Sequence, residues 1–262
     1  MIFSGYHNHT IFCDGKNTAE EMVEEAIRLG CPELGFSGHC YTPFDNTYCM
    51  SQEETEEYIE TVKKLKEKYA SKIKILLGIE QDYYAPLPPE GLYDYMIGSV
   101  HYAKKNGECY EIDHSEKVYL KLVNEVFDGD YYALAENYFA AVADVYNKTK
   151  CDIIGHFDLV LKYNRDNRLF DPTHPRYVAA STRAFDALCK TPAIFELNTG
   201  AIARGMQNVP YPAFHFLESL KEQNKPVLLS ADCHDKNSLL FAFERYAAFA
   251  TLPRLSDYLN KK

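Results

Sequence analysis

The sequence predicts an α/β fold in which helices alternate with parallel strands that close into a barrel of seven strands. Seven short apolar runs of strand length are separated by longer segments whose apolar residues recur with helical spacing. The length of 262 residues, 46% of them hydrophobic, is typical of an α/β barrel that folds as one domain. The alternative is an open, doubly wound sheet, but no run is followed by a Gly-x-Gly-x-x-Gly pattern. We therefore expect residues 1–262 to form a single domain.

The predicted strands are short runs of apolar and β-branched residues that end at turn-forming or polar residues. In chain order they are Ile2–His9, Leu34–His39, Ile73–Glu80, Tyr95–His101, Asp152–His156, Ile194–Asn198 and Val227–Ser230. Their alternation with helices indicates a parallel sheet.

The predicted helices begin at recognisable capping residues. Thr18 with Glu21 and Ser51 with Glu54 form two capping boxes, and Pro175 is typical of a first helical turn. The expected helices follow Thr18 and Ser51, lie near Lys117–Val126 and Tyr132–Tyr146, run from Thr173 to about Cys189, end near Glu222, and extend from Asn237 through Phe249.

Side chains that can bind metal lie at or just beyond the C-terminal ends of these strands, and they include six of the nine histidines. They are His7, His9, Asp14, His39, Glu80, His101, His156, Asp232 and His234. In a parallel barrel all these ends meet on one face, where active sites are built. So many imidazoles and carboxylates at one level would be costly without a cation to compensate them. The pattern therefore predicts a metal site on that face.

The number and type of these side chains indicate more than one ion. Nine ligands are too many for a single ion, because zinc takes about four, and a carboxylate is able to bridge two ions. We therefore expect two or three divalent ions. Nitrogen and oxygen donors without thiolate suit Zn²⁺, Mn²⁺ or Fe²⁺. Cys233 is not expected to be a ligand, since in an extended segment it points away from Asp232 and His234.

Charge and composition exclude several classes of protein. The net charge of −10 and the absence of a basic stripe argue against a nucleic-acid partner. No run approaches the roughly 18 apolar residues of a membrane span, and no apolar signal segment precedes His7. The eight cysteines contain no Cys-x-x-Cys pair, which is typical of reduced thiols. We expect a cytoplasmic protein that binds a small molecule, with its oligomeric state left open.

The motifs that carry the metal-binding side chains occur in a defined order along nearly the whole chain. They are His7-x-His9, Asp14, Ser-Gly-His39, Gly-Ile-Glu80, Ser-Val-His101, Gly-His156-Phe-Asp and Ala-Asp232-x-His234. This series resembles the polymerase-and-histidinol-phosphatase family of metal-dependent phosphoesterases. The segment Asn198-Thr-Gly-Ala-Ile-Ala-Arg204-Gly resembles the histidinol-phosphate phosphatases of that family. The resemblance implies a distorted (β/α)7 TIM-like barrel with a trinuclear metal centre at the C-terminal face of the strands.

The resemblance also implies how the ligands are shared. One ion would be held by His7, His9, Glu80 and Asp232, a second by Glu80, His101 and His156, and a third by Asp14, His39 and His234. Many relatives have a histidine where this chain has Asp14, which leaves the identity and occupancy of the third ion open.

The implied reaction is hydrolysis of L-histidinol phosphate to L-histidinol and phosphate by a metal-activated hydroxide. Glu80, Asp232 and His234 are the candidate catalytic residues. Glu80 would bridge two ions, and either of the other two would aid proton transfer to the leaving group. Arg204, in a glycine-flanked loop on the metal face, and Arg168 are the candidates for binding the substrate phosphate.

Three alternatives remain open from the sequence. The chain could be a phosphoesterase of the same family that acts on a nucleotide, an oligonucleotide or phosphotyrosine. It could be a barrel amidohydrolase, although a glutamate after the third strand and a closing Asp-x-His motif favour the phosphoesterase. It could also bind metal without catalysis. The candidates for recognising the substrate's imidazole and amine are Asp45, Tyr102, Glu111 and the tyrosine-rich stretch near Tyr131.

Overall fold

A parallel β-sheet forms the centre of the molecule. The computed structural model describes residues 2–252 and 254–261. The strands in chain order are β1 (Glu33–Phe36), β2 (Lys74–Asp82), β3 (Tyr95–Ser99), β4 (Tyr102–Lys105), β5 (Glu108–Glu111), β6 (Ile153–Ile154), β7 (Ile194–Asn198) and β8 (Val227–Ser230). Within the described residues, six of them form a sheet in the order β1-β2-β3-β6-β7-β8, and every neighbouring pair is parallel. The α/β class and the parallel sheet are confirmed.

The N-terminal segment, which we expected to be a regular strand over Ile2–His9, makes only isolated bridges. Gly5 pairs with Leu34 of β1 on one side, and Asn8 pairs with Cys233, beyond β8, on the other side. The Gly35 amide donates to the Gly5 carbonyl at 2.8 Å, and the His9 amide donates to the Cys233 carbonyl at 2.9 Å. The segment therefore lies between the two edges of the six-stranded sheet, although its pairing is too short on either side to form a continuous ladder.

The helices include the two that the capping boxes predicted. In chain order they are α1 (Ala19–Arg28), α2 (Gln52–Lys68), α3 (Glu116–Lys121), α4 (Tyr131–Thr149), α5 (Pro175–Cys189), α6 (Gly200–Ala203), α7 (Phe214–Glu222), α8 (Phe243–Tyr246) and α9 (Leu255–Leu259). Both capping boxes, at Thr18 and Ser51, are formed. Within residues 2–252 and 254–261, no helix combines the length and apolar character that crossing a membrane requires.

Two regions differ from the prediction. The expected long helix from Asn237 is wrong, because Asp235 rather than Asn237 provides the cap and Ala242 adopts a left-handed φ of 59°, which interrupts the helix before α8. The excursion between β3 and β6 contains the antiparallel hairpin β4–β5, which the sequence analysis did not predict. Its helical part is also split, since α3 continues into a π-helical turn over Leu122–Val126.

Both faces of the sheet are buried, and this arrangement positions the site. Ile75 and Leu77 belong to a large apolar cluster that includes the buried sides of α1, α2, α4 and α5. Leu76 and Ile194 belong to a smaller cluster with Tyr6 on the other face. Since alternate strand residues point to opposite faces, the smaller cluster fills the inside of the curled sheet. Glu80 shares the face of Leu76, so its side chain lies on the inside, two inward-facing positions closer to the carboxyl ends.

Candidate metal centre

The structure brings all nine predicted metal-binding side chains together at the carboxyl ends of the strands. We call this set the ligand cluster. It consists of His7, His9, Asp14, His39, Glu80, His101, His156, Asp232 and His234. Four overlapping groups of three or four of these residues each have one ligand atom per residue within 4.8 Å of all the others in the group. The spacing between neighbouring donor atoms is therefore suitable for several ions that share ligands.

Glu80 lies at the centre of the cluster, near the end of β2. Its Oε2 is 3.2 Å from His7 Nε2 and 3.0 Å from His39 Nδ1. Its Oε1 is 2.8 Å from His156 Nε2 and 3.3 Å from His101 Nε2. Four imidazoles from four different segments thus converge on the two oxygens of one carboxylate, which is the arrangement expected of a bridging ligand.

Asp232 and Asp14 form two further carboxylate positions on the open side of the cluster. Asp232 Oδ1 is 3.2 Å from His9 Nε2. Asp14 Oδ2 is 3.0 Å from His234 Nε2, and its Oδ1 is 3.6 Å from His39 Nε2. His9 and His234 stack with their ring centroids 4.0 Å apart. Asp14 therefore faces two imidazoles of the cluster, with which it could share an ion.

Several buried donor and acceptor atoms of the cluster lack partners, which fits a bound cation. Within the described residues, His7 Nε2, His9 Nε2 and Glu80 Oε2 have no hydrogen bond, although all three side chains are buried. Unpaired polar atoms at such depth are costly unless something else satisfies them. A divalent ion would supply the missing partner. Cys233 is not one of the donors that face the cluster, because its Sγ donates to the Asp235 carbonyl at 3.0 Å. The donors at the site are therefore nitrogen and oxygen, the types that suit zinc, manganese or iron.

The pKa values of the cluster describe a site in which protons and metal ions compete. Burial alone would raise the pKa of Glu80, but the imidazoles of His7 and His39 outweigh it and hold the pKa well below its usual range. Burial lowers the pKa of His9 to about 3, so this imidazole is neutral. Burial would also lower the pKa of His101, but the Glu80 and Asp82 carboxylates outweigh burial and raise it. Metal ligands must be deprotonated, so metal binding would release the protons that these groups hold.

Two carboxylates that support the ligands were missed by the sequence analysis. Glu196 in β7 is buried, and its Oε2 lies 2.8 Å from His7 Nδ1 while its Oε1 accepts the His156 amide at 2.6 Å. Asp82, at the end of β2, accepts the His101 amide at 2.9 Å, and the same carboxylate lies 3.3 Å from His101 Nδ1. In the sequence, Glu196 could have been recognised as a charged residue between the apolar residues Phe195 and Leu197 of a predicted strand. Such partners fix the tautomer and orientation of a metal-binding imidazole.

We expect Glu196→Gln to weaken metal binding while the fold is retained. Glutamine has one acceptor oxygen where Glu196 uses two, so either the Nδ1–H of His7 or the His156 amide loses its acceptor. Affinity for the ions should fall about 10–100-fold, the usual effect of such a supporting residue. The measurement is a competition titration with a chelator, with metal content read by elemental analysis. Glu244→Gln, at an exposed position of α8, is the control, and equal affinities in both variants would contradict the role of Glu196.

Arg204 lies where the sequence analysis expected it, beside the ligand cluster. It follows α6, and its Nη1 and Nη2 donate to the Asp232 carbonyl at 2.8 Å and to Asp232 Oδ2 at 2.9 Å. The loop can approach this closely because Gly200 has no side chain. A Cβ at that position would lie 2.7 Å from the Ala231 carbonyl oxygen. The guanidinium lines the same cavity as the ligand cluster.

Arg168 is not brought to the cluster. Its guanidinium forms an ion pair with Glu116 at the start of α3, with Nη1 donating to Oε1 at 2.8 Å, and the side chain is 46% exposed. It does not belong to the residues found to line the cavity. The sequence of the long loop that carries Arg168 does not determine the direction of the Arg168 side chain. Arg168 is therefore not included in the proposed phosphate site.

The cavity above the ligand cluster has a volume of about 200 Å³. Beyond the cluster and Arg204 it is lined by Tyr48, Asp113, His114, Leu159 and Lys162. Three of the candidates for substrate recognition, Asp45, Tyr102 and Glu111, lie in a neighbouring depression instead, and Tyr131 is not among the residues found to line the cavity. In that depression the Tyr102 hydroxyl donates to Asp45 Oδ2 at 2.6 Å.

Comparison with known proteins gives a consistent set of similarities. The model of the PHP domain family matches residues 5–200. The chain is 28% identical to "Probable histidinol-phosphatase" of Schizosaccharomyces pombe, over 89% of this chain and 81% of the relative. It is 27% identical to a protein of the same name from Deinococcus radiodurans, over 90% of this chain and 88% of the relative.

Two solved structures share the fold. The Listeria monocytogenes protein hisK superposes with a TM-score of 0.80 at 20% identity and covers 93% of this chain and 99% of its own. Histidinol phosphate phosphatase of Lactococcus lactis, complexed with zinc, L-histidinol and phosphate, superposes with a TM-score of 0.65 at 20% identity and covers 94% and 92%. At this level of identity the two structures bear on the fold alone.

Proposed function

This chain belongs to the PHP domain family, and we propose that it is a metal-dependent phosphatase that hydrolyses L-histidinol phosphate to L-histidinol and phosphate. The observation that carries the proposal is Glu80, whose two oxygens face four imidazoles beneath a cavity with Arg204 in its wall. The substrate is suggested by the names of the two relatives and by the ligands of the Lactococcus lactis protein.

We infer that residues 1–262 form one distorted (β/α)7 barrel. The segment Gly5–His9 would be its seventh strand, because it is hydrogen-bonded to β1 on one side and to the residues after β8 on the other. In such a barrel the segment of His7 and His9 would be two strands away from Glu80, and His7 Nε2 lies 3.2 Å from Glu80 Oε2.

Two or three divalent ions of zinc, manganese or iron would be held by the ligand cluster. The proposed sets are His7, His9, Glu80 and Asp232 for one ion, Glu80, His101 and His156 for a second, and Asp14, His39 and His234 for a third. When bound, such ions supply a Lewis acid that activates water near neutral pH and stabilises negative charge on the phosphate oxygens.

Side chains of this protein would bind the phosphate and transfer the protons. Arg204 would donate its N–H groups to the non-bridging oxygens of the phosphate, a contact that is favoured by its planar fork. Burial alone would raise the pKa of Asp232, but the adjacent Arg204 outweighs burial and keeps this carboxylate ionised. Asp232 is thus suited to holding an ion, whereas a carboxylate of such low basicity is a poor acceptor for a proton from water. His234 is 20% exposed at the open side, and when the third ion is absent it would deliver a proton to the leaving alkoxide.

A phosphate-release screen on the metal-replete protein tests this proposal. We expect kcat/KM for L-histidinol phosphate to exceed that for nucleoside monophosphates and phosphotyrosine by about 100-fold or more, since buried polar groups discriminate strongly between substrates. A higher value for one of the other esters would assign a different substrate to the same chemistry. Cleavage of an amide panel without phosphate release would indicate an amidohydrolase.

A further inference from the structure

Asp113 is an acidic residue on the cavity wall that the proposed chemistry does not use. It follows β5 by two residues and is 17% exposed. Its Oδ2 lies 3.1 Å from Lys162 Nζ, which also donates to the Asp113 carbonyl at 2.7 Å. The Tyr163 hydroxyl donates to the same carbonyl at 2.6 Å. The backbone and one carboxylate oxygen of Asp113 are thus held in place from the segment that follows β6.

The second oxygen of this carboxylate has no partner. Oδ1 of Asp113 is buried and makes no hydrogen bond within residues 2–252 and 254–261, yet the residue lines the cavity above the ligand cluster. A buried carboxylate oxygen without a donor is costly. Lys162 compensates only one of the two oxygens, so the other is available to a donor that enters the cavity with the substrate.

The other charged groups of the cavity are already engaged. Asp14, Glu80 and Asp232 each face histidines of the ligand cluster, and Arg204 is paired with Asp232. Asp113 belongs to none of the candidate metal groups found in the described residues. A cationic group of a substrate that binds beside the ligand cluster would therefore form its ion pair with Asp113.

We propose that Asp113 determines substrate specificity by accepting a hydrogen bond from the ammonium group of an amino-substituted phosphate ester, with Lys162 positioning its carboxylate. The inference rests on the proposed phosphatase function and identifies the ammonium group as a part of the substrate that the cavity recognises. It also replaces Asp45 and Glu111 in that role. Asp45 already accepts the Tyr102 hydroxyl at 2.6 Å and the Thr47 amide at 2.8 Å, and neither acid lines this cavity.

The test compares two esters that differ only in the amine, L-histidinol phosphate and 3-(imidazol-4-yl)propyl phosphate. Asp113→Asn keeps the shape of the side chain and removes its charge. We expect it to lower the ratio of kcat/KM for the amino ester over the deamino ester by about 10–100-fold, mainly through KM. Asp186→Asn, at an exposed position of α5, should keep the wild-type ratio. Asp113→Glu, which retains a carboxylate, should preserve more of the ratio than Asp113→Asn.

A binding measurement supplies a readout that is independent of turnover and of folding losses. Isothermal titration should give wild-type protein a tighter Kd for L-histidinol than for 3-(imidazol-4-yl)propanol, and Asp113→Asn should remove this difference. Equal losses for both esters, or an unchanged difference between the two alcohols, would overturn the role of Asp113.

Failure of the proposed function gives a different result. If wild-type protein hydrolyses both imidazole esters equally well, the phosphatase stands and the inference falls. If it hydrolyses neither, the histidinol phosphate proposal falls, and the same ratio is measured with 2-aminoethyl phosphate and ethyl phosphate. If Asp113→Asn leaves the ratio of kcat/KM for these two esters unchanged, the inference is overturned as well. If no ester is hydrolysed, the difference in Kd between L-histidinol and 3-(imidazol-4-yl)propanol, measured in wild type and Asp113→Asn, tests the inference.

Discussion

Replacing Glu80 by alanine is expected to remove bound metal and phosphatase activity together. Glu80 is the carboxylate that His7, His39, His101 and His156 all approach, at distances between 2.8 and 3.3 Å. Its loss would leave four imidazoles facing one another around a small cavity without the negative charge that holds two cations close together. We expect kcat to fall by at least about 10³-fold, since charge stabilisation and water activation are both lost.

The measurement combines metal content and kinetics on the same preparation. Elemental analysis should find at least two transition ions per wild-type chain and fewer than one in Glu80→Ala. Glu80→Gln, which keeps the shape of the side chain, separates the loss of charge from the loss of packing, and circular dichroism checks that both variants fold. Glu116→Ala is the control, because Glu116 is a partly exposed acid away from the cavity that is paired with Arg168. A Glu80→Ala protein with full activity would show that Glu80 does not bridge the ions.

The sequence predicted the ligand cluster well because of a simple geometric rule. Parallel strands end at one edge, so a residue that closes each apolar run must lie near the others. Ile194–Asn198 and Val227–Ser230 are observed with the predicted bounds. Where the bounds differ, as for Ile153–Ile154 against the expected Asp152–His156, the observed strand ends two residues earlier, but the predicted ligand follows just beyond it. His156 therefore reaches Glu80 although the observed strand is only two residues long.

What the sequence did not predict depends on contacts between segments far apart in the chain. Glu196 lies in the interior of a strand, and its partner His7 is 189 residues away. Asp113 is held by Lys162, 49 residues further on, after an unpredicted hairpin. The direction of Arg168 is set by an ion pair with Glu116 across 52 residues. Local patterns identify strands and caps, but they contain no information about which distant side chain will neutralise a buried charge.

Replacing Arg204 by alanine is expected to have the second largest effect. The guanidinium donates to both the carbonyl and the carboxylate of Asp232 and lines the cavity in which the phosphate would bind. Its removal would take away two N–H donors from the phosphate and a positive charge from Asp232. We expect kcat/KM to fall about 10²–10³-fold, the usual loss when a preorganised donor to a charged transition state is deleted. Inhibition by inorganic phosphate should weaken in parallel.

Two further variants separate the phosphate contact from a general loss of charge. Arg204→Lys keeps the charge but not the planar fork, so it should recover only part of the activity. Arg168→Ala removes an arginine that the structure places on the surface, and its kcat/KM should stay within about twofold of wild type, as for most surface substitutions. Elemental analysis must accompany the kinetics, because Arg204 also contacts a proposed ligand. If Arg204→Ala loses metal but binds phosphate normally once metal is restored, Arg204 supports Asp232 and does not bind the substrate.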